Sequence, residues 1–128
     1  MRLLLFLFSL LSFFPCFSKW EKFRENKLFT EYFEVDSIKK VNGIIYVWSM
    51  IDYTEAKEDG NLSTKYYSKY DCKKKKYKII TIVNYKTNMG KGRDFKYSKN
   101  ITSESSDSNW IFPLFNEDDY LKLKFLCD

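Results

Sequence analysis

Histidine is absent from the 128 residues. Without an imidazole, the Ser-His and Cys-His pairs that activate nucleophiles are excluded, as are the usual zinc ligand sets. Glycine is scarce, at four residues, and its one close pair, Gly90-Lys91-Gly92, does not make a phosphate loop. A P-loop sets its lysine after the second glycine and opens a helix there, whereas Arg93-Asp94-Phe95 reads as extended. The pair instead suits a bend with positive φ. Long apolar runs are limited to Leu3 to Phe14. Those twelve residues fall short of the roughly 20 that a membrane-spanning helix needs, and Pro15 follows them directly. Acidic residues are present but do not converge: Asp118 and Asp119 suit a helix start, and Glu34 and Asp36 suit the solvent side of an edge strand. Carboxylates that work on a glycosidic bond must flank a cleft from separate elements. No catalytic site, cofactor or metal is therefore expected.

The run from Leu3 to Phe14, after the basic Met1-Arg2, has the form of a signal-peptide core. Cys16 and Ser18 place small side chains at minus 3 and minus 1 of a cut after Ser18. The expected organisation is thus a leader over 1–18 and one domain over 19–128, since the remaining 110 residues suit a single core. Losing Arg2 leaves 21 basic residues against 17 acidic, a net charge of +4. Two of the three cysteines survive the cut, Cys72 and Cys127. An even count in an exported chain of this size points to one disulfide, and two cysteines allow one pairing.

Along the mature chain, Trp20 to Phe23 and Tyr32 to Asp36 are short, aromatic or alternating, and read as strands. Val41-Asn42-Gly43 supplies a turn into Ile44 to Tyr53, a strand apolar on both faces that belongs at the centre of a sheet and would also fit pairing with a second copy. Glu55 to Asn61 is an exposed connection. Ser63 to Cys72 follows as a strand with Thr64, Tyr66, Ser68, Tyr70 and Cys72 facing inward and Ser63, Lys65, Lys69 and Asp71 outward. Tyr77 to Tyr85 pairs with it as a hairpin across the basic turn Lys73 to Lys76. A bend at Asn88 to Gly92, a short strand at Asp94 to Tyr97, a surface loop over 98–109, and a return to the core at Trp110-Ile111-Phe112 complete the sheet. Leu121 to Phe125 alternates with period two, yet Asn116 before Glu117, Asp118 and Asp119 has the chemistry of a helix start. A helix puts Tyr120, Leu123 and Cys127 on one face and delivers Cys127 to Cys72.

Lys73, Lys74, Lys75 and Lys76, with Tyr70 and Tyr77 beside them, are the one concentration of charge and the candidate binding surface for an anionic partner. A solvated hairpin tip is the blander reading of the same lysines. An exported protein does not meet nucleic acid as its normal partner. Asn61-Leu62-Ser63 and Asn100-Ile101-Thr102 match the N-glycosylation pattern.

Several features in order carry a family resemblance: the opening Trp20 segment, Tyr46-Val47-Trp48, Asp71-Cys72, Met89-Gly90-Lys91-Gly92, Trp110 with Pro113, and the closing Cys127. On these the mature chain resembles the bacterial surface-adhesin protein E domain along nearly all of its length. The resemblance implies an α+β fold, a single antiparallel sheet of about six strands with a C-terminal helix tied to it by the disulfide. It also implies a non-enzymatic domain that binds host extracellular-matrix or plasma proteins at the bacterial surface. The alternative is an envelope-structural or inhibitor protein that stays in the periplasm. Two departures bear on the transfer: Cys16 could alternatively carry a lipid, but bulky Phe13-Phe14-Pro15 precedes it where lipoproteins carry a small residue, and Pro113-Leu114-Phe115 stands where the family carries Pro-Gly-Ser.

Overall fold

A computed structural model of the protein describes residues 19–92 and 110–128, and residues 99–100 by their backbone. The apolar run from Leu3, the cut after Ser18, the strand expected over Asp94 to Tyr97 and the loop over 101–109 lie outside the described residues. In chain order the elements are β1 (Trp20–Glu25), β2 (Phe29–Glu34), β3 (Lys39–Val41), β4 (Ile44–Tyr53), β5 (Ser63–Asp71), β6 (Lys76–Tyr85), β7 (Lys99–Asn100) and α1 (Asp118–Cys127). Six strands lie side by side in the order β1-β2-β4-β5-β6-β7, every pairing is antiparallel, and the short β3 pairs with β4. The α+β architecture is the expected one.

β2 and β3 run along the same edge of β4, because Phe33 opposes Ser49 while Lys39 opposes Tyr46. The chain between them has more residues than β4 offers partners for, and the surplus leaves the sheet as a 3-10 turn, Val35–Ser37. Glu34 and Asp36 therefore do not share an edge-strand face. β2 is flanked by β1 and β4, and Asp36 sits in the turn. Asn42 and Gly43 have φ of 51° and 79° and join Val41 to its partner Ile44. Two positive φ values in a two-residue loop match the right-handed twist of the flanking strands, which is why Asn-Gly works there.

Side chains directly opposite one another share a face of the sheet, and chain neighbours alternate. Phe33, Ile45, Val47, Tyr70 and Tyr77 form the helix-side face, and Leu123 of α1 closes the core over them, with Phe23, Cys72, Ile79, Leu126 and Cys127 at its margin. Leu123 keeps 3% of its surface exposed, a burial that contributes on the order of 2 kcal/mol. Rings from three elements meet at one end of this seam: Phe23 lies 5.1 Å from Phe33 and 5.2 Å from Phe125, and Phe125 stacks on Phe33 at 5.7 Å. The Cys72–Cys127 disulfide ties the end of β5 to the last residue of α1, with Cα atoms 5.5 Å apart.

Four local expectations shift. Glu117, not Asn116, holds the N-cap of α1, since the chain makes a turn in which the Glu117 N–H donates to the Leu114 carbonyl at 2.9 Å. Tyr120 is half-buried and packs on Phe115, with ring centres 5.2 Å apart, instead of joining Leu123 and Cys127 in the core cluster. Trp110 to Phe112 do not return to the core: Ile111 and Tyr77 exchange both backbone hydrogen bonds, at 2.8 and 2.9 Å, so the segment runs along the outer edge of β6. There Phe112 stays 65% exposed. Lys99–Asn100, within a stretch expected to be loop, pairs with Thr81 and Ile82 along the same edge.

Ser63 was expected outward and is fully buried. Its hydroxyl donates to the Thr87 carbonyl at 2.6 Å and accepts the Gly90 N–H at 2.9 Å. Asp52 accepts the Met89 N–H at 2.7 Å, so the bend at Asn88–Gly90 is pinned to the ends of β4 and β5. Gly90 has φ +57°, and a side-chain carbon there would collide with the Lys65 chain. The glycine pair thus serves the bend.

Candidate binding surface

Beneath α1 the charges are paired. Glu31, on the same face as Phe33 two residues on, is 1% exposed. It receives the Arg24 Nε at 2.6 Å and the Lys122 Nζ at 2.6 Å. Arg24 also pairs with Asp118, and Lys122 with Asp119 at 3.3 Å. Tyr77 donates its hydroxyl to the other Asp119 oxygen at 2.6 Å. A carboxylate this deep needs such partners, because stripping its water without them costs several kcal/mol. Ser49, Tyr66, Ser68, Tyr70, Asp119 and Lys122 line a cavity of about 220 Å³ in the same seam. Burial under the helix, with the negative charge of Glu31 nearby, pushes the Tyr70 phenol above its ordinary value of 10.0. Burial and the hydrogen bond to Asp119 do the same for Tyr77. Both phenols keep their protons at neutral pH, and Tyr77 uses its own to bond Asp119. The seam's acids and cations are engaged with one another, an arrangement that joins helix to sheet.

Burial decides the fate of the two tyrosines proposed as contact residues. Tyr70 and Tyr77 are 4% and 8% exposed and stack on each other at 5.4 Å on the helix side, so neither reaches a partner at the surface. The reason is parity: both alternate with the lysines beside them, and the lysines took the other face. Lys73, Lys74 and Lys75 are exposed at the β5–β6 tip, while Lys76 is half-buried. Asp71 fixes the tip by accepting the backbone N–H groups of Lys73 and Lys74 at 3.1 and 3.0 Å, and Lys75 adopts a positive φ of 53°. The Asp-Cys pair therefore does two jobs, closing the turn and anchoring α1.

On the far face of the sheet, away from α1, four residues stand in one cross-strand row: Lys39, Tyr46, Lys69 and Lys78, on β3, β4, β5 and β6. The next row toward the strand middles holds Trp48, Tyr67 and Thr81. Trp48 and Tyr67 rings are 5.0 Å apart, and Tyr46 lies 6.2 Å from Tyr67. Trp110 closes the outer edge, with the Lys76 ammonium 4.3 Å and the Lys69 ammonium 5.0 Å from its ring centre. Among the described residues, none of Lys39, Lys69, Lys73, Lys74, Lys75, Lys76 and Lys78 has a carboxylate within ion-pair distance. Alternation within Lys76-Tyr77-Lys78 was the available signal for this face, but the pairing of Lys69 with Lys78 needs a register.

Of the two glycosylation patterns, Asn61 is 4% exposed, and its side-chain amide donates to Thr64 Oγ1 at 2.8 Å and to Asn84 Oδ1 at 3.2 Å. Folded, it offers no free amide for a glycan. The side chain of Asn100 lies outside the described residues. Among the described residues no helix is long and apolar enough to cross a membrane, and no group of three metal-ligating side chains comes together.

A family model described as Surface-adhesin protein E matches residues 20–128. No curated protein and no solved structure matches the chain.

Proposed function

The chain belongs to the surface-adhesin protein E family, and from that premise we propose that it is an exported, non-enzymatic binding domain displayed on a bacterium. Residues 1–18 act as a cleaved leader, and residues 19–128 bind host extracellular-matrix or plasma proteins. The contact surface is the β5–β6 tip, where Lys73, Lys74 and Lys75 are exposed and have no acidic partner among the described residues. That unpaired charge is the observation that supports the reading most. Acidic segments of a partner complement it, and complementarity of this kind raises association rates and selects partners. Tyr70 and Tyr77 act behind the surface, holding the hairpin to α1.

Two measurements test this. Replacing Lys73, Lys74 and Lys75 by Gln should abolish binding to those matrix or plasma proteins that the parent protein retains on a solid-phase panel, with the circular dichroism spectrum unchanged. Unaltered binding removes the tip from the account. Protease added to intact cells should digest the protein; protection would assign it to the periplasm and favour an envelope-structural or inhibitory role.

A further inference from the structure

The row Lys39–Tyr46–Lys69–Lys78 runs against the local rules of a sheet. Lys69 and Lys78 are direct cross-strand partners. Like charges placed this way destabilise a strand pair by a few tenths of a kcal/mol or more. Sheets commonly relieve such a pair with an acid on an adjacent strand, but the neighbour of Lys69 on β4 is Tyr46, and the row ends at Lys39, a third lysine. Asp71, the closest acid along β5, turns an oxygen to the tip backbone instead. Local conflict of this kind marks sites kept for function rather than stability. Neighbouring strands lie about 4.8 Å apart, so the ammonium groups are spread across a band roughly 14 Å wide. Aromatic rings accompany them: Tyr46 within the row, Trp48 and Tyr67 beside it, and Trp110 at the outer edge.

We infer that this far face binds an anionic polysaccharide, with sugar faces stacked on the rings and sulfate or carboxylate groups paired with Lys39, Lys69, Lys76 and Lys78. Two features point to a polymer. The cations sit on three strands, β3, β5 and β6, with Tyr46 of β4 between them, so one small anion cannot meet them all, and the rings suit the apolar faces of successive sugars. Rings and lysines on a sheet also suit single-stranded nucleic acid. The choice of a sugar chain rests on the export reading above, because polysaccharides are the polyanions that an exported domain meets. The surface is distinct from the tip, so one molecule has room for a polysaccharide on the sheet and a protein at Lys73 to Lys75.

The test uses the purified, oxidised protein with heparin fragments of defined length, and with a single-stranded oligonucleotide of matched charge. Heparin should bind and the oligonucleotide should bind more weakly. Lys69→Gln with Lys78→Gln should weaken heparin binding about tenfold or more and flatten its dependence on log salt concentration by roughly two, one per lysine removed. Trp110→Ala should weaken it with the salt slope unchanged, which separates stacking from charge. Lys73→Gln, Lys74→Gln and Lys75→Gln together should leave most of it intact while removing matrix-protein binding. Absence of heparin binding, equal binding by the Lys69/Lys78 variant with its fold intact, or preference for the oligonucleotide would each overturn the inference. None of these outcomes depends on where the cell places the protein, so surface display stands or falls separately, by protease treatment of intact cells.

Discussion

The two faces of this sheet handle charge in opposite ways. On the helix side, Glu31 is buried between Arg24 and Lys122, and the adjoining Asp118 and Asp119 belong to the same network. On the far side, Lys39, Lys69 and Lys78 line up with no acid between them. Burial explains the first: in low dielectric a carboxylate without cations is untenable, so each charge comes with its partner. Water permits the second: Lys39 is exposed and Lys69 and Lys78 are half-buried, and long lysine stems carry their ammonium groups toward solvent, where the repulsion stays small. Charge that holds the molecule together is thus paired around a buried acid, and charge available to a partner has no acid beside it.

Breaking the helix side should have the larger effects. Replacing Cys72 and Cys127 by Ser opens a loop spanning a separation of 55 residues. The chain-entropy ceiling for such a loop is about 4 kcal/mol, so urea unfolding should show a loss of about 2–4 kcal/mol. A variant as stable as its parent would mean that packing alone seats α1. Glu31→Ala leaves Arg24 and Lys122 each with one acid, Asp118 and Asp119, and should cost about 3 kcal/mol by the same assay. A loss below about 1 kcal/mol would show that the seam's charges contribute no more than surface pairs do.

Alkaline pH sharpens the contrast without mutation. The folded state holds the Tyr70 and Tyr77 phenols above their ordinary value of 10.0. Below pH 10 both folded and unfolded chains keep these protons, and stability is independent of them. Above pH 10 the unfolded chain releases protons that the fold retains, so stability should decline as pH rises. Tyr77→Phe should reduce that decline. A stability that is flat up to pH 11, roughly one unit above the ordinary phenol value, would contradict the burial of these rings.

The difference between the faces also explains what was legible in the sequence. Strand positions, the Asn42-Gly43 turn, the β5–β6 hairpin and the C-terminal helix follow from alternation and turn chemistry, which are local. The disulfide followed from cysteine count in a chain read as exported. Glu31 is not legible locally, because the aromatic, β-branched pattern of its strand begins at Tyr32. Starting it at Phe29 puts an acid on the face of Phe33, and Lys122 between Leu121 and Leu123 is the matching basic signal on α1. The apolarity of Trp110 to Phe112 points to the core, and nothing local opposes it. An edge position along β6 depends on a long-range pairing with Tyr77 that no local pattern encodes. The lysine tip was visible as a run of four, but the row across β3 to β6 appears only with the register, and the register sends Tyr70 and Tyr77 to the opposite face.

If the far-face lysines serve a partner and not the fold, urea unfolding of Lys69→Gln with Lys78→Gln measures it most directly. Relief of the cross-strand repulsion predicts stability equal to the parent's or higher by about 0.2–1 kcal/mol. A loss of about 1 kcal/mol or more would mean that these lysines hold the sheet together, and the division between the two faces would not stand.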